Sequence, residues 1–265
     1  MIDVDAYFSR IGYGGPSNAS LETLCAIHAL HPAAIPFENL DPLLGRPVPL
    51  HLAALQEKML RRRRGGYCFE QNALFKAVLE ALGFSVAGLA ARVRWRLPPD
   101  APANPRTHML LKLDLAEGTF IADVGFGGLL FAAPLRLVAD VEQGLLRLQR
   151  QRDGAFTVQA RLASGWQDAY RFTLEQQFPA DYEVANWFTA AHPNSRFRNN
   201  LLMERLTPAL RLSLFNRKVT RRFADGRVEE TTLADAGGLA RLLADEFEIE
   251  PPADAASVFA RLPPA

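Results

Sequence analysis

The spacing of apolar residues changes once along this chain of 265 residues, close to residue 85, and that change limits the folds open to it. Before it, apolar residues recur every three or four positions, as in the runs 21–30 and 74–82, which is the period of a helix with one buried face. After it, short runs alternate apolar and polar residues between turn-forming residues, which is typical of antiparallel strands. The pattern therefore predicts a helical part followed by an antiparallel barrel or sandwich.

Local signals locate several elements within this frame. Ser20 is a candidate N-cap for the first helical run, and Gly83 is a candidate end for the third. The Pro-rich stretch 97–105 predicts a surface loop. Between residues 86 and 190 the predicted strands are RVRWRL, HMLLKLDL, TFIADVGF, LRLQRQ, AFTVQARL and AYRFTLEQ.

The last part of the chain is mixed in pattern and uneven in charge. RLSLFNRKVTRRFADGRVEETTL predicts two strands around the turn Asp225-Gly226, and LADAGGLARLLADEFEI predicts a helix interrupted by Gly237-Gly238. Basic residues dominate 196–222 and acidic residues dominate 225–254. These stretches are either two solvated faces, or the basic one meets an anionic ligand that carries phosphates.

The composition excludes several classes of protein. With 49% hydrophobic and 22% charged residues, the chain is neither disordered nor collagen-like. Its net charge of +1 gives no overall field that would attract a nucleic acid or a membrane. Two cysteines are too few for a disulfide framework or a four-cysteine zinc site. The N-terminal MIDVDAYFSR lacks the apolar core of a secretory signal, and no apolar run approaches the ~18 residues of a membrane span. We expect a cytoplasmic protein without a metal.

The segment RGGYCFEQN, residues 64–72, is the strongest candidate for chemistry because its cysteine opens a helical pattern. Its two glycines permit a tight turn. A cysteine in the first turn of a helix lies among unpaired backbone N–H groups at the positive end of the dipole, which favours the nucleophilic thiolate. Cys68 is therefore either a nucleophile or a buried structural thiol. Cys25, in the middle of an earlier helical run, is predicted to be structural.

His108 and Asp123 are the candidate partners, because a thiolate nucleophile needs a base and the base needs an orienting group. His108 opens one strand-like run and Asp123 ends the next. In a hairpin with an even-length loop, the residue numbers of two directly opposed residues have an odd sum. The numbers 108 and 123 also have an odd sum, so the two side chains point to the same face of the hairpin and lie opposite each other or one diagonal step apart. A carboxylate among apolar strand residues is costly unless it is paired. The remaining histidines are predicted to be structural or on the surface: His28, His31, His51 and His192.

The glycine-rich run that follows Asp123 has two interpretations. Its residues are Gly125-Phe126-Gly127-Gly128, and their backbone amides could form an anion-binding concavity. The alternative is a plain glycine loop.

Together these residues resemble the arylamine N-acetyltransferase family. The motifs that carry the resemblance are RGGYCFEQN at 64–72, Thr107-His108 and DVGFG at 123–127, with support from PFENL at 36–40, NWF at 186–188 and PNSRF at 193–197. The resemblance implies an α+β fold with a cysteine-protease-like Cys-His-Asp core. Its implied parts are an N-terminal helical bundle over 1–85, a central antiparallel β-barrel over 86–195 and a C-terminal α/β lid over 196–265.

The resemblance also implies a catalytic triad, which falls on Cys68, His108 and Asp123, and acetyl-CoA as co-substrate. Cys68 would carry the acetyl group to a small aromatic amine or hydrazine, with ping-pong kinetics, in a monomer or a homodimer. The family-like segments supply Phe37, Phe126, Phe197 and Tyr67 as candidate contacts of the aromatic substrate. The candidate contacts of acetyl-CoA are Thr107, Gly127, Trp95 and Asn72. Glu38 and Arg64 are expected to form a buried pair.

Three other functions fit parts of the pattern. An amide synthase of polyketide biosynthesis would keep the triad but act on carrier-bound chains in a wider cleft. A Cys-His-Asp hydrolase of the papain or transglutaminase type would use water as the acceptor. A binding module would keep these residues for structure, and Cys68 would then react as an ordinary thiol.

Overall fold

The computed structural model describes residues 1–98, 100–251 and 254–263, in which helices pack against two antiparallel sheets. A single π-helical turn, Glu57–Arg61, follows α4 within these residues, and no helix among them is long and apolar enough to cross a membrane. The helices are α1 (Val4–Ile11), α2 (Leu21–Ala34), α3 (Leu40–Leu44), α4 (Leu52–Gln56), α5 (Cys68–Ala81), α6 (Pro179–Ala191), α7 (Arg196–Asn199), α8 (Ala236–Asp245) and α9 (Ala255–Arg261).

The larger sheet is a nearly closed barrel that has eight strands within the described residues. Its strands are β2 (Val86–Val93), β3 (His108–Leu115), β4 (Gly118–Ala122), β5 (Leu135–Arg136), β6 (Glu142–Gln143), β7 (Leu146–Arg150), β8 (Phe156–Leu162) and β9 (Gly165–Phe172). They lie in the order β5-β4-β3-β2-β9-β8-β7-β6. The α+β fold with a central antiparallel barrel, expected from the sequence, is therefore confirmed.

The smaller sheet joins the two ends of the chain. Its strands, in spatial order, are β1 (Phe37–Glu38), β10 (Leu202–Leu206), β11 (Leu210–Phe215), β12 (Lys218–Phe223) and β13 (Val228–Thr232). Because β1 comes from the helical part, the C-terminal region is hydrogen-bonded to that part through this sheet.

The ends of the first helices follow the capping signals. The Ser20 side chain accepts a hydrogen bond from the backbone N–H of Thr23 at the start of α2, as expected of an N-cap. Gly83 follows the end of α5 with φ at 92°, a conformation that glycine adopts without strain. Cys68 is the first residue of α5, so its side chain lies at the helix N-terminus.

The predicted strand RVRWRL is displaced toward its N-terminal side. β2 begins at Val86 and ends at Val93, and Arg96 turns the chain with φ at 60°. The sequence Val86–Ala91 gives a weak strand signal because small residues replace side chains that would clash. A Cβ at Gly88 would lie 2.4 Å from the hydroxyl oxygen of Tyr182, which donates to the carbonyl of Leu89.

Two predictions for the C-terminal part are wrong. The run predicted as two strands forms three, because Asn216 adopts φ of 52° and makes an additional tight turn between β11 and β12. The helix α8 is continuous through Gly237-Gly238, which lie in its first turn after the N-cap Asp235. Glycine costs little there because the first turn contributes few intrahelical hydrogen bonds.

The basic and acidic stretches of this part pair in part with each other. The Arg221 guanidinium donates to the Glu246 carboxylate, and Lys218 lies 2.9 Å from Glu230. Arg205 lies 2.7 Å from a carboxylate oxygen of Glu248. The acidic stretch therefore neutralises some of the basic residues, and others, Arg196 among them, have no such pair among the residues the structure describes.

Removing one buried aromatic ring tests the helical core. Phe75 on α5 is fully buried against the rings of His28 and His31. We expect Phe75→Ala to lower the free energy of unfolding by ~3–5 kcal/mol, because it leaves a cavity. Urea denaturation followed by circular dichroism measures this. Phe178→Ala is the matched control, because that ring is 59% exposed, and its effect should stay within ~0.5 kcal/mol. Equal losses in both variants would contradict the packing described here.

Candidate active site

Cys68 lies where α5, β3 and the loop after β4 meet. Its Sγ is 3.6 Å from the carbonyl oxygen of Thr107, the residue before β3. Gly125 packs so tightly from the other side that a Cβ there would lie 2.8 Å from the Cα of Cys68. The thiol is nearly buried, with 3% of the residue exposed. Tight packing on both sides therefore fixes the direction in which Sγ points.

The β3–β4 hairpin brings His108 and Asp123 together. Leu111 pairs with Ala122, so Asp123 falls one diagonal step from His108 on the same face, as the numbering argument requires. The Nε2 atom of His108 lies 2.7 Å from Oδ2 of Asp123, and both side chains are buried. The other ring nitrogen of His108, Nδ1, is available for a hydrogen bond with Cys68.

Buried charge controls the protonation of this pair. Burial opposes the charged form of His108, but the Asp123 carboxylate and, more weakly, Cys68 outweigh it and raise the pKa of His108 to about 10. Burial also acts to raise the pKa of Asp123, yet His108 and the hydrogen bonds from Asn72 and Gly125 hold that pKa below its usual value. At neutral pH the pair is therefore an imidazolium and a carboxylate.

Asn72 supports Asp123 from α5. Its Nδ2 donates to Oδ1 of Asp123 at 3.0 Å and to the carbonyl of Met109 at 2.7 Å, and its Oδ1 accepts from the N–H of Val124. The side chain is fully buried. The expected contact of Asn72 with acetyl-CoA does not fit this position, because both polar atoms already have protein partners.

The glycine loop does form an anion-binding concavity, but its occupant is a protein carboxylate. Glu204 on β10 accepts hydrogen bonds from the backbone N–H groups of Gly128 and Leu130, and it is paired with Arg211. The N–H of Gly127 donates to the carbonyl of Gly125. Glu204 therefore connects this loop to the smaller sheet, a contact that no pattern in the sequence indicates.

Comparisons with known proteins agree with this geometry. The family profile described as N-acetyltransferase matches residues 20–255. The arylamine N-acetyltransferase of Mycobacterium tuberculosis H37Rv is 42% identical over 255 residues, which cover 94% of this chain and 89% of that protein. The Escherichia coli K12 enzyme of the same name is 42% identical over 246 residues, covering 91% and 86% respectively.

The chain belongs to the arylamine N-acetyltransferase family. It is accordingly an acyltransferase. Among solved structures, the M. tuberculosis arylamine N-acetyltransferase matches with a TM-score of 0.92 and 39% identity, covering 97% of this chain and 99% of that chain. The M. marinum enzyme, solved in complex with CoA, matches with a TM-score of 0.91 and 36% identity, covering 98% of both chains.

Aromatic rings surround the triad of this family member on two sides. Phe126 and Tyr170 pack against the His108 imidazole with centroids 5.0 and 4.8 Å away. On the other side, Phe197 packs edge-on against Phe37 at 5.9 Å and against Tyr67 at 5.5 Å. The structure thus brings the four sequence-predicted aromatic candidates to the surroundings of Cys68, and it adds Tyr170, which had no distinguishing signal in its strand.

Two further candidate contact residues, Tyr67 and Trp95, are buried. Tyr67 is fully buried, and its hydroxyl donates to Oδ1 of Asn186, so it forms a wall behind Phe197. Trp95 lies over the glycine loop, where a Cβ on Gly128 would lie 3.1 Å from its Nε1. That Nε1 is buried and has no hydrogen-bond partner among the residues the structure describes.

A cluster of five charged side chains holds the turn before Cys68. Arg64 Nη2 lies 2.6 Å from Glu38, as the sequence led us to expect. Lys58 Nζ, which the sequence did not single out, lies 2.7 Å from both Asp41 and Glu70. Such a cluster is stable only when every charge has a partner.

Glu70 links this cluster to the nucleophile. Its Oε2 accepts the backbone N–H of Tyr67 at 3.0 Å, which fixes the residue before Cys68. Burial raises the pKa of Glu70 to about 7, although the neighbouring Lys58 opposes the rise.

The charged state of His108 predicts a pH dependence of stability. Its folded pKa of about 10 lies above its ordinary value of 6.5, so its contribution is complete below pH 6.5 and is lost as pH rises through about 10. We expect the difference in unfolding free energy between wild type and His108→Gln to shrink over that range, measured by urea denaturation. Met109→Leu at the neighbouring buried position is the matched control, since it removes no titratable group and should show no such trend. A constant difference for His108→Gln would contradict the ion pair.

Proposed function

We propose that this chain transfers an acetyl group from acetyl-CoA to an aromatic amine or hydrazine through an acetyl-Cys68 intermediate. The observation that carries the proposal is the buried His108–Asp123 contact of 2.7 Å beside a cysteine at the N-terminus of α5. A positioned imidazolium and a helix N-terminus both stabilise a thiolate. The family membership supplies the substrate classes.

In the first half-reaction the Cys68 thiolate attacks the thioester carbonyl carbon of acetyl-CoA. The new C–S bond forms, the bond to the CoA sulfur breaks, and the His108 imidazolium gives its proton to the departing thiolate. In the second half-reaction the amine nitrogen attacks the acetyl-cysteine, and neutral His108 takes the amine proton. The amide leaves, and the thiolate–imidazolium pair is restored, so the kinetics are ping-pong.

Burial supports acyl transfer over hydrolysis. Cys68 and His108 are at most 3% exposed, which limits the access of water to an acetyl-enzyme. Phe37, Phe126 and Phe197 would offer a flat apolar surface to an aromatic acceptor, and Tyr67 would support Phe197 from behind. An amide synthase would leave acetyl-CoA unused, and a hydrolase would release acetate without an amine.

Donor contacts are proposed for the rim of the cleft. Thr107, whose carbonyl oxygen lies 3.6 Å from the Sγ of Cys68, and Gly127 in the glycine loop are the proposed donor contacts, and Trp95 would support that loop beside Gly128. Arg96 and Arg196 would meet the phosphates: burial and the charge of Arg96 together lower the pKa of Arg196, which means that two cations lie close together. The CoA complex of the M. marinum relative supports this class of donor. We place the reaction in the cytoplasm.

Mass spectrometry of the acetyl-enzyme tests the nucleophile. We expect acetyl-CoA alone to add one acetyl group to the Cys68 peptide, and an aromatic amine to remove it as the amide. Cys68→Ala should abolish both steps. Cys25→Ser is the matched control, because Cys25 is exposed on α2, away from the triad, and it should behave as wild type. Acetylation at Cys25, or release of acetate at the same rate without an amine, would contradict the proposal, and the latter result would favour a hydrolase.

Asp123→Asn tests the orienting group. The amide of an asparagine would present an N–H to the Nε2 of His108 in place of an acceptor. The imidazolium would then lose its charge partner, and the neutral ring would no longer be held in the tautomer with its proton on Nε2. We expect the rate of acetylation to fall by ~10³–10⁴-fold, as for the equivalent change in a serine-protease triad, measured in single turnovers. Circular dichroism would verify the fold. A folded Asp123→Asn enzyme with a near wild-type rate would exclude this role for Asp123.

A further inference from the structure

A second buried histidine contacts the acid of the triad from behind. His28 lies on α2, fully buried, and its ring packs edge-on against Phe75. Its Nε2 accepts a hydrogen bond from the backbone N–H of Asp123 at 3.2 Å. Asp123 therefore stands between two imidazoles, with its carboxylate toward His108 and its backbone amide toward His28.

The position of this amide gives the contact its importance. Strand β4 ends at Ala122, so Asp123 is the first residue beyond the ladder, and its buried N–H needs an acceptor from elsewhere. The carboxylate is held separately, by Asn72, Gly125 and His108. Without His28, those three contacts would have to fix a residue whose own backbone amide has no partner.

We propose that His28 is a positioning residue: by accepting the backbone N–H of Asp123, it fixes the strand end so that the carboxylate stays aimed at His108. The inference rests on the proposed function for its consequence in acetyl transfer. It concerns a fully buried residue, and it adds α2 to α5 as a helix that orients Asp123.

The role requires a neutral ring with one particular tautomer. A ring nitrogen can accept an N–H bond only when it carries no proton, so the proton of His28 must be on Nδ1. That atom is buried and has no hydrogen-bond partner among the residues the structure describes, so the bond that Nε2 accepts from Asp123 must outweigh the cost of an unpaired Nδ1–H. Burial lowers the pKa of His28 to about 4, although the Asp123 charge opposes the change. His28 therefore stays neutral at physiological pH. A cationic His28 would compete with His108 for the single charge of Asp123.

The groups that face the two rings define what a pH profile will report. His28 faces Asp123 from the end of β4 and senses His31 on its own helix. His108 faces Asp123, Cys68 at the start of α5 and the ring of Tyr170 on β9. Both rings face Asp123, which Tyr170 also faces. A shift in the behaviour of Cys68 or His108 after a change at His28 therefore reports on the orientation of the carboxylate, provided that a packing change on the same helix does not produce it.

The test compares His28→Leu with His28→Gln, whose side-chain oxygen can still accept the N–H. The readout is the rate at which iodoacetamide alkylates Cys68 from pH 5 to 10, which does not depend on acetyl transfer. We expect His28→Leu to slow alkylation at neutral pH about tenfold, the equivalent of one pKa unit, and to move its pH profile. His28→Gln should restore most of the rate. In acetyl transfer, kcat should fall while KM for the amine stays the same.

Leu24→Ala is the matched control, because Leu24 is buried on the same helix. It should lower stability without changing the pH profile of alkylation. An unchanged profile in His28→Leu, or equal slowing in His28→Leu, His28→Gln and Leu24→Ala, would overturn the proposal and leave His28 a packing residue.

A measurement on the unmodified protein covers the case in which His28→Leu does not fold. Imidazole ¹⁵N NMR should show His28 neutral, with its proton on Nδ1, from pH 6 to 9. A proton on Nε2, or a cationic ring in that range, would overturn the proposal. If the wild type shows this tautomer and a reactive Cys68 but transfers no acetyl group, the proposed function fails while the assignment of His28 stands.

Discussion

The buried negative charge of Asp123 is the constraint on which the rest of the site depends. A carboxylate removed from water is stable only with several hydrogen bonds and an opposite charge. Here the Asn72 amide comes from α5, a backbone N–H from the glycine loop and the imidazolium from β3. The need to satisfy one charge therefore brings the helical part and the barrel together at the place where Cys68 begins its helix.

Other contacts hold α5, the glycine loop and β3 in position around Asp123. The cluster around Arg64 and Lys58 holds the turn before Cys68, while Glu204 ties the loop that carries Phe126 to the smaller sheet. The C-terminal part is hydrogen-bonded to the helical part through β1, and its role as a lid stays a prediction. Charged pairs buried in this way contribute specificity of arrangement, since losing one partner leaves an uncompensated charge.

Prediction from the sequence succeeded where the signal was local. The helix start at Cys68, the cap at Ser20 and the shared face of His108 and Asp123 follow from spacing and turn chemistry within a few residues. It failed where a distant element decided the outcome. β2 was misplaced because Tyr182 on α6 requires the small Gly88 in the strand. The turn at Asn216 was missed because a single residue with positive φ leaves little trace in composition.

The sequence by itself determined which side chains are candidates for chemistry, because a cysteine at a helix start and a histidine and an aspartate on one hairpin follow from spacing within short segments. The tertiary structure alone decided which groups surround that chemistry. His28, Glu204 and Lys58 lie 95, 76 and 12 residues from the partners they hold, and their side chains look ordinary in the sequence. Contacts at such separations depend on how helices and sheets pack, which periodicity does not encode. For the same reason the sequence did not indicate that Asn72, a candidate contact of acetyl-CoA, would donate a hydrogen bond to Asp123.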